Sequence, residues 1–208
     1  MKKIAAASVL MTVLGGSAVQ ARQVDVGISV ADGKLQSFYM AVGDHYRVPA
    51  RQVADLGARH RLPDEELPVV FFLAARGQVG PQAVIDLRLG KLSWLEVAIR
   101  LRLSPEIFFV PLAFEPAGPP YGNAYGYYRK HGRSGDWRQV ALSDREVVDL
   151  VNLRFMSEYH GLGPDDIIGM RAKEKSFVKI HDEIGRGKAK GQPGKDPKGQ
   201  PQGKGKKK

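Results

Sequence analysis

Histidines and carboxylates are the side chains on which acid–base and metal chemistry depends, and in this chain they are scattered. His45, His60, His131, His160 and His181 have no second histidine three or four positions away, so none shows the paired spacing of a helical metal site. The 208 residues include no cysteine, which excludes disulfides, iron–sulfur clusters, thiol catalysis and lipid attachment through a cysteine. Asp165-Asp166 and Glu65-Glu66 are adjacent carboxylates, but each pair follows a proline at a helix start, where acids complement the helix dipole. No Gly-x-Ser-x-Gly elbow and no phosphate loop ending in Gly-Lys-Ser/Thr occurs. The sequence therefore marks no catalytic residue, no metal site and no cofactor. An enzyme would need its residues assembled by the fold from unmarked positions, and that stands as the alternative.

Residue types suited to contact are concentrated in one place. Tyr121, Tyr125, Tyr127, Tyr128 and Trp137 lie among Gly118, Gly122, Gly126, Gly132 and Gly135, with Arg129, Lys130, His131, Arg133 and Arg138 interspersed. Tyr and Trp bring large rigid area and a polar handle at low entropy cost. Tyr121, Tyr125, Tyr127, Tyr128, Arg129 and Trp137 are the candidate contact surface, for a protein partner or for stacking on sugars. Pro111, Pro116, Pro119 and Pro120 precede the run, so 111–142 reads as a long irregular connection, functional or linking. In the linking case its aromatics lie back on the body and cover apolar surface.

A second candidate contact is electrostatic. The net charge of +10 sits at the two ends: 1–21 carries +2, 185–208 carries +8, and 22–184 balances 21 basic against 21 acidic residues. Arg186, Lys188, Lys190, Lys195, Lys198, Lys204, Lys206, Lys207 and Lys208 make the tail cationic, and Ala189 is its only apolar side chain. A Gly/Lys/Pro/Gln segment cannot repay the entropy of ordering, so 185–208 is expected to be disordered. It suits an anionic surface, lipid headgroups or acidic polysaccharide, and such binding weakens with salt. With no aromatics to stack on bases, the tail is not a sequence-specific nucleic-acid reader.

The front end predicts export. Lys2 and Lys3, an uncharged and mostly apolar run from Ile4 to Leu14, and Val19-Gln20-Ala21 have the three-part layout of a secretory signal over 1–21. The run is far shorter than the roughly 20 residues of a membrane span, so no transmembrane segment is expected in the mature chain. The expected location is the periplasm, the cell envelope or the exterior.

The elements that must position these residues read as short helices punctuated by proline. Val48-Pro49, Leu62-Pro63, Gly80-Pro81, Ser104-Pro105 and Gly163-Pro164 each mark a start, because proline at the first helical position sacrifices no hydrogen bond. Ser93 with Glu96 and Ser143 with Glu146 fit the capping box. Apolar spacing predicts helices over 35–46, 50–60, 64–76, 81–89, 93–102, 105–109, 144–160, 165–172 and 176–184. Val24 to Val30 alternates and reads as a strand. The fold class is mainly α: a helical unit over 22–110, the connection over 111–142, and a second unit over 143–184. A shift of 83 residues sets Gly80-Pro81 on Gly163-Pro164, Arg88 on Arg171, Ser93-Trp94 on Ser176-Phe177 and Val97 on Ile180, which suggests one three-helix unit used twice.

The segment LRLGKLSWLEVAIRLRLSPEIF, residues 87–108, resembles repeated Ser-Trp-x-Glu units of uncharacterised exported bacterial proteins. It is also similar to the helix-turn-helix of transcription factors. The resemblance spans about 47–110 and 143–184, and it implies a helical exported protein without an assigned activity. It departs at Arg102, where a turn glycine is usual, and at Leu89, and in the second unit Phe177 and Lys179 replace Trp94 and Glu96. DNA reading does not follow. The helix after Pro105 offers Glu106, Ile107, Phe108, Phe109 and Val110, which is apolar, and the body is neutral. The expected function is therefore an exported, non-enzymatic binding or structural protein, with enzyme and exported nucleic-acid binder as alternatives.

Overall fold

The computed structural model describes residues 30–191, apart from 115, 117, 119, 120, 132–134, 136 and 174. The expected signal, the chain beyond Gly191 and most of the expected strand lie outside the described residues, and Val30 itself opens the first helix. The described residues are mainly helical and contain no strand: α1 (Val30–Tyr46), α2 (Ala50–His60), α3 (Leu67–Gly77), α4 (Pro81–Leu89), α5 (Trp94–Arg100), α6 (Gly122–His131), α7 (Asp144–His160), α8 (Pro164–Arg171) and α9 (Phe177–Gly191). Short 3-10 turns cover Asp64–Glu66, Pro105–Phe108 and Trp137–Gln139.

The starts follow the sequence chemistry. Pro81 and Pro164 take the first helical positions of α4 and α8 behind extended Gly80 and Gly163. Both capping boxes close: Ser93 and Ser143 accept from the N–H of Glu96 and Glu146, whose carboxylates accept the cap N–H in return at 2.7 and 2.8 Å. Besides the first helix, which begins at Val30 rather than at 35, three expected helices differ. The stretch 64–76 divides into a 3-10 turn and α3, because Pro68 removes a backbone donor in the first turn of α3. The expected 105–109 helix is only a 3-10 turn capped by Ser104. The last helix runs on to Gly191, carried past 184 by the exposed Asp182–Arg186 pair one turn apart.

α3 and α7 form the centre. Leu67 to Ala74 is buried on every side, as is most of α7 from Val147 to Ser157. α1, α4 and α7 pack on α3; α1, α8 and α9 pack on α7; α2 covers α1. One contiguous apolar core therefore draws on both 22–110 and 143–184. Each fully buried Phe, Leu or Val contributes about 1.5–3 kcal/mol of transfer free energy.

Two arginine clamps hold α5 and α9. Arg88 lies 4.7 Å from the Trp94 ring centroid, donates to the Leu92 carbonyl at 3.0 Å, and pairs with Glu66 at 3.5 Å and Asp144 at 2.6 Å. Arg171 lies 4.7 Å from the Phe177 ring, donates to the Lys175 carbonyl at 2.7 Å, and pairs with Asp149 at 2.8 Å and Glu65 at 3.7 Å. The same carboxylates cap the helices from across the core. Asp144 accepts the Trp94 N–H at 2.7 Å, and Glu65 accepts the Phe177 N–H at 2.5 Å. Burial raises the pKa of Glu65, Glu66 and Asp149, and the arginines oppose that rise.

Candidate contact site on the sixth helix

The connection expected to be irregular contains α6. Tyr121, Ala124, Tyr125 and Tyr128 recur at helical spacing, and the first three are buried. Gly122 and Gly126 each cost a helix about 1 kcal/mol, which hides the pattern, but burial of two tyrosines outweighs that cost.

The six residues of the predicted contact surface divide. Tyr121 is 1% exposed, and its hydroxyl points to the Asp149 carbonyl at 3.5 Å. Tyr125 is buried; its hydroxyl donates to the Val110 carbonyl at 2.8 Å and accepts the Val110 N–H at 3.3 Å. Desolvation pushes the Tyr125 phenol up to about 12. These two are packing residues, a correction to the contact reading: each fills the core and satisfies its hydroxyl on backbone. Tyr128 and the partly buried Trp137 stack against Phe109 at centroid distances of 5.0 and 5.8 Å, the lining-back arrangement of a covering segment. Tyr127 is partly buried against the core and stacks on His131 at a centroid distance of 6.3 Å, and Arg129 is exposed.

Those two line an open groove of about 780 Å³ between α6 and the start of α7. Gly122, Asn123, Gly126 and Lys130 complete the α6 wall, and Ala141, Leu142, Ser143 and Glu146 form the other. Glu146, whose carboxylate accepts the Ser143 cap bonds, brings one negative charge to the lining against the positive charges of Arg129 and Lys130. A Cβ added at Gly126 meets nothing within 4 Å, so packing does not require glycine there. Its missing side chain leaves the groove floor open. Asn123, Gly126 and Lys130 stand outside the six candidate residues because glycine beside tyrosine reads as loop chemistry; the helical spacing of Tyr121, Ala124 and Tyr125 is the available signal.

The fold also joins residues that sequence spacing kept apart. His160 Nε2 lies 3.1 Å from His181 Nδ1, and His181 Nε2 lies 3.0 Å from Ser37 Oγ. Burial lowers the His181 pKa, which keeps the ring neutral near pH 7. An exposed serine beside a neutral histidine resembles a nucleophile and base. Ser37 sits inside α1, however, where neighbouring N–H groups are spent on the helix, so the oxyanion donors of acyl transfer are missing at that place. The cluster is a hydrogen-bonded joint between α1, α7 and α9. Among the described residues no group of three or more His, Asp or Glu is placed to hold a metal ion.

On the tail, the exposed Arg186 is paired with Asp182 on α9. Lys188 and Lys190 also fall within α9, whereas Lys195, Lys198, Lys204, Lys206, Lys207 and Lys208 lie outside the described residues. No described helix is long and apolar enough to cross a membrane. Fold and site together define a mainly helical protein with an open, cation-lined groove. No protein-family model, curated protein or solved structure matches the chain.

Proposed function

We propose that this chain is an exported binding or structural protein of the bacterial envelope, whose body contacts an acidic glycan through the α6 groove and whose basic tail holds it to anionic surfaces. The observation that carries the reading is the groove itself: the partly buried Tyr127 lines it with aromatic surface, Asn123 offers hydrogen bonds, and Lys130 suits a carboxylate. The export reading rests on the layout of residues 1–21, and the tether on the +8 carried by 185–208. We also read the body as one three-helix unit used twice. Arg88 and Arg171, 83 residues apart, share the same stacking distance and the same bond to the carbonyl four residues on, which supports that reading.

Gly126→Trp tests the glycan contact, since the added ring enters open space and fills the groove. Affinity electrophoresis through polygalacturonate should retard the native protein and not this variant, at an unchanged melting temperature. Equal retardation of both removes the groove from the reading. A separate full-length variant with the six lysines from Lys195 to Lys208 changed to Gln addresses the tail.

A further inference from the structure

The outer face of α5 carries a combination that neither the core nor the clamps explain. Ile99 is 56% exposed on α5. Leu92, Ile99, Arg100 and Arg102 line a shallow groove of about 540 Å³ with Glu96. The opposite face of α5, Trp94, Val97 and Ala98, is the buried one.

The cations here are held at a cost. Lys91 and Arg102, which flank α5, have φ of 66° and 60°, in the left-handed region where glycine is favoured and other residues lose roughly 1–2 kcal/mol. Arg102 is the position where the sequence resemblance expects glycine. Among the described residues, Arg100 and Arg102 have no ion-pair or side-chain hydrogen-bond partner. Glu96, the one acid, is tied to Ser93 by its capping box. The result is an aliphatic side chain standing out of the surface beside unpaired positive charge, within a body whose overall charge is zero.

We propose that this face, Leu92, Ile99, Arg100 and Arg102, is a second attachment point that seats the folded body on an anionic lipid bilayer. The exposed Ile99 enters the headgroup boundary while Arg100 and Arg102 meet lipid phosphates, the division of labour of interfacial protein surfaces. A protruding aliphatic on a shallow face suits a lipid boundary better than a protein partner, for which a continuous apolar groove is the usual seat. No tail residue takes part, so the inference goes beyond the tether reading and fails or stands separately from it.

The experiment is sedimentation of the full chain with vesicles of equal parts phosphatidylcholine and phosphatidylglycerol, and with phosphatidylcholine alone. Arg100→Gln with Arg102→Gln should lower partition onto the anionic vesicles by roughly tenfold or more, from two lost cations near the surface. Ile99→Ser should lower it too, with the far-ultraviolet spectrum unchanged because its side chain is exposed. The six-lysine tail variant should keep the part of the binding that the patch supplies. Unchanged partition in both patch variants overturns the proposal. If the tail variant alone abolishes binding, the tether reading stands and this one falls. If partition is unchanged but binding to poly-glutamate is lost in the arginine variant, the face serves an acidic polypeptide and the lipid assignment is overturned.

Discussion

The two arginine clamps have nearly the same geometry and very different surroundings. Arg88 and its partner Asp144 keep 21% and 37% of their side-chain surface exposed, whereas Arg171 keeps 13% and Asp149 none. The stacking distances are equal, so geometry does not separate them. Depth does. Water can replace either partner of the first clamp, whereas the buried Asp149 without Arg171 keeps only the exposed Arg145, 3.9 Å from its second oxygen, which has no hydrogen-bond partner among the described residues. The second clamp is therefore the one the fold cannot lose, while the first is the one it can adjust.

Removing each arginine breaks the comparison most sharply. Arg171→Met should cost about 3–5 kcal/mol, because it strands a buried carboxylate. Arg88→Met should cost about 1–2 kcal/mol, since Asp144 relaxes toward water and the loss is mainly hydrogen bonds and stacking. Chemical denaturation of both variants measures the difference. Equal costs would mean that depth is not what separates the clamps. Adding Asp149→Leu to Arg171→Met should recover part of the loss, as replacement of a whole buried pair by apolar groups often does.

Acid separates the same two regions by another route. Where α5 places Ala98, the corresponding position of α9 holds His181, both buried. His181 meets His160 and Ser37, with the Lys34–Asp182 pair, the His45–Glu158 pair and Tyr159 nearby on α1, α7 and α9. Burial lowers the pKa of both His45 and His181, so their stabilisation is complete above about 6.5 and is lost as pH falls through their lowered folded values. Glu65, Glu66 and Asp149 act with the opposite sign. Their raised values give stability that is complete below about pH 4 and is lost as pH rises through the folded pKa. Amide exchange should thus show α9 opening on acidification from pH 7 to 5 while α5 stays protected. His181→Phe should cost about 1–2 kcal/mol at pH 7 and flatten that acid response. An α9 equally protected at both pH values would remove the histidine joint from the stability argument.

The parts of this fold that were legible in the sequence are those fixed by local chemistry. Proline, capping serine and glycine ends place α2, α4, α7 and α8 to within a residue, because each signal acts on its own turn of backbone. α6 was not legible, since its two glycines outweighed a tyrosine stripe whose value appears only on burial against Phe109 and Val110. The candidate site was half legible for the same reason. Tyr127 and Tyr128 are identical in the sequence and adjacent, yet one lines a groove and the other stacks on Phe109 and Trp137. The histidine joint left no local trace: Ser37 and His181 are 144 residues apart.

The smallest test acts on the turns that precede the clamps. Gln78 ends α3 and Gly161 ends α7, at corresponding positions and in the same left-handed backbone conformation, with φ of 52° and 67°. Their N–H groups close the same loop, on Ala74 and Ser157 respectively. The turn after α3 is thus strained and that after α7 is not. A Cβ at Gly161 meets nothing within 4 Å, so Gly161→Ala adds backbone strain and no clash, and should cost about 1 kcal/mol. Gln78→Gly should gain a similar amount, reduced by the greater freedom of glycine in the unfolded chain. Opposite signs in the two melting temperatures would establish that the units share a turn and differ in how well it is filled. A stabilising Gly161→Ala would show that the left-handed conformation is not required there, and the comparison would lose its backbone argument.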